Sequence, residues 1–223
     1  MLTVALIPVK GFANAKRRLA GVLTESQRSA LAKAMLRDVV IAAKGAKSID
    51  RVVLLGGGDA RELAEKEHAH WLDDCGADGL NAALDAAATS LTADGIERVF
   101  VLPGDLPTVQ TADLDTPLAC HRDGLTLNPA TRDGGTNALV ISPPNKLPFC
   151  FGADSAHRHL AAALEAGVTA QTVSLPAFAH DVDDPEDLEW LTSQNAGVNT
   201  ARWLQSTGLG RLSENGGSAV IRA

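Results

Sequence analysis

Aromatic residues are scarce in this sequence, and what it lacks disfavours several classes of protein. Only 4% of its 223 residues are aromatic and there is no tyrosine, which argues against a stacking platform for single-stranded nucleic acid. No run approaches the roughly 20 apolar residues of a membrane span. The cysteines Cys75, Cys120 and Cys150 are widely spaced and form neither a zinc motif nor an even disulfide framework. We therefore expect a protein of the reducing cytoplasm, with neither nucleic acid nor membrane as a partner.

Positive charge is also in the minority, with 20 Lys and Arg against 27 Asp and Glu and a net charge of -7. Such a chain repels nucleic acid and anionic membranes, so an anionic substrate needs a dedicated basic pocket. The hydrophobic fraction of 45% and the length are typical of one large globular domain. We assign residues 1–207 to this domain. Residues 208–223, which are rich in glycine and show no packing pattern, are predicted to be a flexible tail.

Short apolar segments alternate with helical patterns along the chain. Strands are predicted at 3–7, 51–55, 70–72, 99–102, 125–128, 137–142 and 172–175, and helices at about 24–44, 59–67, 80–93, 111–121, 155–166 and from 184 onward. The apolar start is a strand rather than a signal peptide, because no basic region precedes it. This alternation predicts a single α/β domain whose mostly parallel sheet is flanked by helices.

The segment Val99–Leu102 is the most informative of these strands. Four consecutive apolar residues indicate a fully buried strand of a parallel sheet, and Pro103-Gly104 ends it abruptly. Asp105 then stands at the carboxyl end of the strand, where open α/β sheets hold their ligands. A carboxylate there is a good metal ligand for a phosphorylated substrate, although it could instead merely cap the next turn.

A basic loop follows the first strand. Four cations, Lys10, Lys16, Arg17 and Arg18, stand between Pro8 and Leu19. In an acidic protein this concentration fits a triphosphate cradle, in which cations and backbone N–H groups hold oxygens. The alternative is a solvated basic loop. The Walker pattern is absent, which excludes a P-loop.

The second group of carboxylates is Asp181-Val182-Asp183-Asp184-Pro185. In an extended segment Asp181 and Asp183 point to the same side, which suits a divalent cation shared with Asp105. Hard oxygen ligands beside phosphate select Mg²⁺. The alternative, acids at a helix N-terminus, accounts well for Asp184 but less well for Asp181 and Asp183.

Two further patterns carry little functional weight. Gly56-Gly57-Gly58-Asp59 follows a strand, but a dinucleotide-binding motif needs glycine where Arg61 stands, so a tight turn is the better interpretation. The pairs His68/His70 and His157/His159 project about 200° apart on a helix, so a shared metal is disfavoured. No nucleophile elbow or Cys-His signature indicates a covalent nucleophile.

Taken together, seven motifs resemble the 2-phospholactate guanylyltransferase family of coenzyme F-420 biosynthesis, in order and across about residues 4–191. These motifs are Pro8-Val9-Lys10, Ala15-Lys16-Arg17-Arg18-Leu19, Gly79-Leu80-Asn81, Gly104-Asp105-Leu106-Pro107, Asp133-Gly134-Gly135-Thr136-Asn137-Ala138-Leu139, Phe151-Gly152-Ala153-Asp154-Ser155 and the segment from Asp181 to Leu188. The resemblance implies a single-domain nucleotidyltransferase fold of the glycosyltransferase-A type, in which the mostly parallel sheet is mixed. It also implies that GMP passes from GTP to 2-phospholactate, phosphoenolpyruvate or 3-phosphoglycerate, with Mg²⁺.

The resemblance also implies roles for individual residues. Lys10, Lys16 and Arg18 would meet the triphosphate and act in catalysis together with Asp105. The nucleotide would further contact Pro8, Gly79, Leu80, Asn81 and Pro103, and the acceptor would contact Thr136, Gly152 and Ser155. Asp105 and Asp183 would hold Mg²⁺, with help from Asp181.

Two other functions stay open on sequence alone. The chain could be another nucleotidyltransferase of the same fold, of the molybdopterin or isoprenoid-precursor type, or a nucleotide-binding subunit without activity. Assays with a panel of acceptors would distinguish the first alternative from the implied function. Release of pyrophosphate from GTP in the presence of an acceptor would exclude the second. The identity of the acceptor and a homodimeric state are not fixed by the sequence.

Overall fold

Helices alternate with strands as the sequence predicts, in a computed structural model that describes residues 1–130 and 134–209. The strands are β1 (Thr3–Pro8), β2 (Arg51–Leu55), β3 (His70–Leu72), β4 (Arg98–Val101), β5 (Gly124–Pro129), β6 (Thr136–Ser142) and β7 (Ala170–Thr172). The α-helices are α1 (Glu25–Gly45), α2 (Gly58–Glu67), α3 (Gly79–Ala93), α4 (Thr111–Cys120), α5 (Ser155–Glu165), α6 (Pro185–Thr192) and α7 (Val198–Ser206). Two short 3₁₀ turns lie at Arg17–Gly21 and Pro176–Phe178.

The strands form one sheet in the order β3-β2-β1-β4-β6-β5-β7. Every neighbouring pair is parallel except the two that involve β6, which runs antiparallel to β4 and to β5. The prediction of a mostly parallel, mixed sheet is confirmed. Because β6 is reversed, its first residue, Thr136, lies at the same edge as the carboxyl ends of β1 and β4. Val101, the last residue of β4, pairs with Leu139.

Each face of the sheet is covered by helices. One core packs β1, β2, β4 and β6 against α1, α2 and α4, with Phe100 and Phe178 fully buried. The other core packs the opposite side chains of the same strands and of β5 against α3 and α5. Burial on both faces explains why β1 and β4 are continuously apolar rather than alternating.

Helix α1 is buried on two sides. Val39 and Val40 face the sheet, while Leu31 and Met35 join a third cluster that contains Leu188, Leu191, Trp203 and Leu204 from α6 and α7. The capping box predicted at its start is present, because the Thr24 side chain accepts the Gln27 N–H and the Gln27 side chain accepts the Thr24 N–H. This third cluster fastens the last two helices to the domain.

The last predicted strand was misplaced. It was expected at 172–175, but β7 ends at Thr172, and the chain turns into the 3₁₀ segment soon afterwards. Pairing with β5 fixes this register, since Leu125 lies opposite Ala170 and Leu127 opposite Thr172. No helix among the described residues is long and apolar enough to cross a membrane. The predicted tail lies outside the described residues from position 210 onward.

Candidate active site

Three carboxylates meet at the carboxyl edge of the sheet. Asp105 follows β4, and Asp181 and Asp183 precede α6; one oxygen from each lies within 4.8 Å of the other two. Val182 between them is fully buried, and its N–H donates to the Asp105 carbonyl oxygen at 3.3 Å. The buried valine turns the two flanking aspartates toward Asp105, as the alternation of an extended segment requires.

The start of α6 holds this segment in place. The Asp187 carboxylate is buried and accepts the N–H groups of Asp183 and Asp184, at 2.9 and 3.0 Å. Asp184 is the N-cap, accepting from Glu186 and Asp187, and Pro185 occupies the first helical position. The N-cap role inferred from the sequence therefore describes Asp184, whereas Asp181 and Asp183 belong to the carboxylate cluster.

Lys16 bridges two of the carboxylates. Its Nζ lies 2.7 Å from Asp105 Oδ2 and 2.8 Å from Asp183 Oδ1, and its side chain is only 9% exposed. Burial alone would lower the pKa of Lys16, but the charges of the two aspartates outweigh it and raise this pKa above its usual value. Burial, followed by the charge of Asp105, raises the pKa of Asp181. One ammonium among three carboxylates leaves the cluster with net negative charge.

The other cations surround this cluster. Arg18 Nη1 is 3.9 Å from Asp183 Oδ2, and both side chains are well exposed. Lys10 is exposed at the end of β1, and Arg17 points to Asn14, with Nη2 3.1 Å from its Oδ1. Of the four cations in the basic loop, the structure thus brings Lys16 and Arg18 to the carboxylates, while Lys10 is exposed and has no ion-pair partner among the described residues.

The glycine-rich turn after β2 supports this basic loop. A Cβ on Gly56 would come within 2.4 Å of the Val9 carbonyl oxygen, so only glycine fits this close approach. Asp59 in the same turn accepts the Phe12 N–H at 2.8 Å. The preference for a tight turn over a dinucleotide motif agrees with this geometry, in which Gly57 is the N-cap of α2.

Two adjoining cavities lie at this edge of the sheet, and Asp105 and Asp183 line the first of them. The first, about 370 Å³, is lined by the basic loop, by Met35 and Leu36 of α1, and by the segment from Pro103 to Asp105. The second, about 260 Å³, is lined by Leu55, Asp74, Gly79 and Ala83 among others. The lining residues common to both are Pro8, Val9, Lys10 and Leu80. A ligand could therefore extend from one cavity into the other past Lys10.

Asn81 does not face these cavities in the way the resemblance implies. Its Nδ2 donates to the Phe151 carbonyl oxygen at 3.0 Å, and its Oδ1 accepts the Phe151 N–H at 2.7 Å. The side chain therefore ties α3, whose first residues line the second cavity, to the loop before α5. By contrast, Asp74 lines that cavity although its sequence context gave no reason to single it out.

The three residues expected to contact an acceptor lie together. Thr136 begins β6, Ser155 begins α5, and Ser155 Oγ donates to Thr136 Oγ1 at 3.0 Å. Gly152 is exposed with φ 121°, and a Cβ there would be 3.2 Å from an Nη of Arg158. His159 Nδ1 lies 3.3 Å from Thr136 Oγ1. Arg158 was not singled out from the sequence, and His159 was considered there only as half of a histidine pair, because its contact with β6 exists only after folding.

The two histidines on α5 face different sides, as their spacing suggested, whereas His68 and His70 do not share a helix, because His68 follows α2 and His70 begins β3. His159 is buried, whereas His157 is exposed on the other side of α5. His68 and His70 are both exposed. Among the described residues, the cluster of Asp105, Asp181 and Asp183 is the group of side chains suited to a metal ion.

Known proteins with similar structures share this fold. A putative nucleotide-diphospho-sugar transferase from Desulfovibrio desulfuricans G20 superposes with a TM-score of 0.75 at 19% identity, covering 95% of this chain and 98% of that one. A 4-diphosphocytidyl-2C-methyl-D-erythritol synthase superposes with a TM-score of 0.60 at 12% identity, covering 85% and 96%. At such identities the likeness establishes the fold alone. The predicted nucleotidyltransferase fold is confirmed.

Proteins found by sequence similarity have higher identities to this chain than these solved structures have. A phosphoenolpyruvate guanylyltransferase from Conexibacter woesei is 40% identical over 195 residues, covering 86% of this chain and 87% of that protein. A protein of the same name from Chloroflexus aggregans is 39% identical over 189 residues, covering 82% and 93%. A 3-phospho-D-glycerate guanylyltransferase from Phenylobacterium zucineum is 34% identical over 205 residues, covering 90% and 94%. The model of the family described as "Guanylyl transferase CofC like" matches residues 3–222, and the chain therefore belongs to that family.

Proposed function

We propose that this protein transfers GMP from GTP to the phosphate of phosphoenolpyruvate and releases pyrophosphate. The observation that carries the proposal is the carboxylate cluster bridged by Lys16 beside a cavity lined by the basic loop. Membership of a guanylyl transferase family supports the reaction. The names of the relatives at 39–40% identity support phosphoenolpyruvate as the acceptor, ahead of 3-phosphoglycerate and 2-phospholactate.

The two cavities suggest how GTP would lie. The guanine would occupy the second cavity, against Pro8, Gly79 and Leu80, and the triphosphate would extend past Lys10 into the first cavity. There it would meet the basic loop and Pro103. Backbone N–H groups and cations at the end of a parallel strand are suited to phosphate oxygens. Asn81 would contribute indirectly, by holding the loop at Phe151.

The carboxylate cluster fits Mg²⁺. Its donors are three hard carboxylate oxygens, and Asp105 Oδ1 is buried with no hydrogen-bond partner among the described residues. A buried acceptor without a donor is costly unless a cation satisfies it. Asp105 and Asp183, with Asp181, would hold the ion, which when bound would neutralise charge on the phosphates.

Displacement at phosphorus needs no protein nucleophile. An oxygen of the acceptor phosphate forms a bond to the α-phosphorus of GTP, while the bond from that phosphorus to the pyrophosphate oxygen breaks. Lys10 and Arg18 would offset charge on the departing pyrophosphate. Lys16 would hold the carboxylates of Asp105 and Asp183 next to each other. Positioning and electrostatic stabilisation account for catalysis of this kind.

The acceptor would bind at the start of β6 and α5. Thr136, Gly152 and Ser155 lie at the same edge of the sheet as Asp105, since β6 is antiparallel to β4. The guanidinium of Arg158 beside Gly152 adds a cation for a doubly anionic phospho-acid. We place the reaction in the cytoplasm, within coenzyme F-420 biosynthesis; the three cysteines, which are all free, suit a reducing compartment.

Pyrophosphate release with GTP and each of the three acids tests this function. We expect turnover with phosphoenolpyruvate, dependent on Mg²⁺, and little release without an acceptor. Turnover with 3-phosphoglycerate or 2-phospholactate alone would show that the proposed acceptor is wrong and that the proposed reaction is right. Transfer to a molybdopterin or isoprenoid precursor, or no release with any acid, would contradict the proposal.

A further inference from the structure

His159 is fixed in one protonation state by its neighbours. The backbone N–H of Cys150 donates to His159 Nε2 at 2.9 Å, so Nε2 carries no proton. In the neutral ring the proton must then be on Nδ1. Burial lowers the pKa of His159 to about 4, in keeping with a neutral ring. His159 is therefore a hydrogen-bond donor at Nδ1 and an acceptor at Nε2.

Two oxygens face this donor, the Thr136 hydroxyl and the backbone carbonyl of Ser155, whose hydrogen bond to the ring raises the pKa of His159 against the larger effect of burial. His159 Nδ1 lies 3.3 Å from Thr136 Oγ1, and Ser155 Oγ donates to the same oxygen at 3.0 Å. A hydroxyl oxygen has two lone pairs and one proton, so these two donors occupy its acceptor capacity. Among the described residues, Thr136 Oγ1 has no further partner. Its own proton remains available to donate.

The position of Thr136 in the fold indicates which group its hydroxyl proton faces. The residue begins β6 at the carboxylate edge of the sheet, and the glycines of the neighbouring loops, Gly134 and Gly152, are exposed. Ser155 and His159 are almost wholly buried, at 1% and 2%, whereas Thr136 is 9% exposed. The buried pair is therefore shielded from solvent, and the threonine is the member of the trio that reaches the edge.

We infer that His159 is a positioning residue, which together with Ser155 makes the Thr136 hydroxyl a dedicated donor to an oxygen of an anionic acceptor. The inference rests on the proposed function, since it assigns the acceptor to this site. Phosphate and carboxylate oxygens only accept hydrogen bonds, so a hydroxyl held as a donor favours them over ligand groups that donate.

Two substitutions at one position separate this role from packing. In His159→Asn the amide nitrogen can stand where Nδ1 stands and donate to Thr136, while the bond to Cys150 is lost. In His159→Gln the amide oxygen can stand where Nε2 stands and accept from Cys150, while the donor to Thr136 is lost. His157→Leu, at an exposed position of the same helix, is the control.

We expect His159→Gln to raise the acceptor KM about threefold to tenfold, the effect of one neutral hydrogen bond, with kcat and the KM for GTP within about twofold. His159→Asn should recover most of the acceptor KM yet lower Tm more than His159→Gln does. In a Thr136→Val background, His159→Gln should have no further effect on the acceptor KM. Equal effects of the two variants on KM, additive effects with Thr136→Val, or a change confined to GTP would overturn the inference.

The tautomer of His159 can be determined by NMR, without measuring the activity of any variant. Two-dimensional ¹H–¹⁵N spectra of the histidine rings in the wild-type protein, assigned with His159→Gln, should show a proton on Nδ1 of His159 at neutral pH. A proton on Nε2, or on both nitrogens, would overturn the inference even if the enzyme turns over phosphoenolpyruvate. Wild-type protein that is inactive with all three acids would instead overturn the proposed function, and with it the acceptor assignment.

Discussion

Replacement of Asp105 by asparagine separates a role in catalysis from a role in stability. In the structure Asp105 Oδ2 accepts from Lys16 at 2.7 Å, and Asp105 Oδ1 is buried without a partner among the described residues. Asparagine keeps the shape of the side chain but removes its charge and one strong cation ligand. The substitution therefore acts on the cluster and not on the core.

The loss of stability should be small because two electrostatic effects oppose each other. Lys16 loses one of its two carboxylate partners but keeps Asp183 at 2.8 Å. At the same time Asp181, whose pKa is raised by burial and then by the charge of Asp105, is relieved of that repulsion. Removing the only partner of a buried charge costs about 3–5 kcal/mol, but with Asp183 retained we expect about 1 kcal/mol. For a protein of this length that corresponds to about 2–4 °C in Tm.

The loss of activity should be much larger. Groups that stabilise charge in the transition state typically contribute about 100-fold to 1000-fold to kcat, so kcat should fall by at least about 100-fold. Pyrophosphate release at saturating GTP, acceptor and Mg²⁺, together with thermal unfolding, measures both quantities. Asp183→Asn should behave like Asp105→Asn. The matched control is Asp184→Asn, because asparagine is about as good an N-cap as aspartate. A folded Asp105→Asn variant with near-wild-type kcat would refute the reasoning.

Three further predictions concern the acceptor, the nucleotide and pH. Thr136→Val should raise the acceptor KM by about one to two decades, the effect of one hydrogen bond to a charged group, and leave GTP affinity measured without acceptor unchanged; weaker GTP binding would place Thr136 in the nucleotide pocket instead. GTP should be preferred over ATP because of the family and the match at Gly79-Leu80-Asn81, which comparable kcat/KM values for the two nucleotides would contradict. Burial lowers the pKa of His121 and of His159 to about 4 in the folded protein, against 6.5 ordinarily. Below pH 6.5 the unfolded chain therefore binds protons that the folded protein does not, and the free energy of unfolding should fall by up to about 1.4 kcal/mol per pH unit for each histidine as pH drops toward 4. Urea titrations across this pH range check the predicted slope, and a constant free energy of unfolding would contradict it.

Much of the candidate site could be read from the sequence because its parts follow strands. Asp105 directly follows β4 and the basic loop directly follows β1, and in a parallel sheet such ends lie at one edge. The alternation at Asp181-Val182-Asp183 likewise predicted which side chains share a side. The nearby sequence was enough to place these groups, since the position of each group is set by the strand next to it.

Helix α7 begins at a cap that the neighbouring sequence does not reveal. The sequence predicted a helix from 184 onward but not the separate start of α7, because the residue before it, Gly197, has no side chain to cap it. Instead Asp38 of α1 accepts the N–H groups of Asn199 and Thr200, at 2.9 and 2.8 Å. A Cβ on Gly197 would lie 2.3 Å from the Asp38 carboxylate carbon, so glycine admits this cap. Because Asp38 is 161 residues away from Asn199 in the chain, the sequence next to the helix gives no sign of this cap.

The sequence by itself determined the alternation of strands and helices, a mostly parallel sheet, and the carboxylates and cations at its edge, because hydrophobic periodicity and turn residues act over a few positions. Only the tertiary structure decided that Lys16 bridges Asp105 and Asp183, that Asn81 holds Phe151, and that His159 faces Thr136. Each of these contacts joins residues on different elements. Their partners are selected by the packing of helices on the sheet, which no single segment specifies.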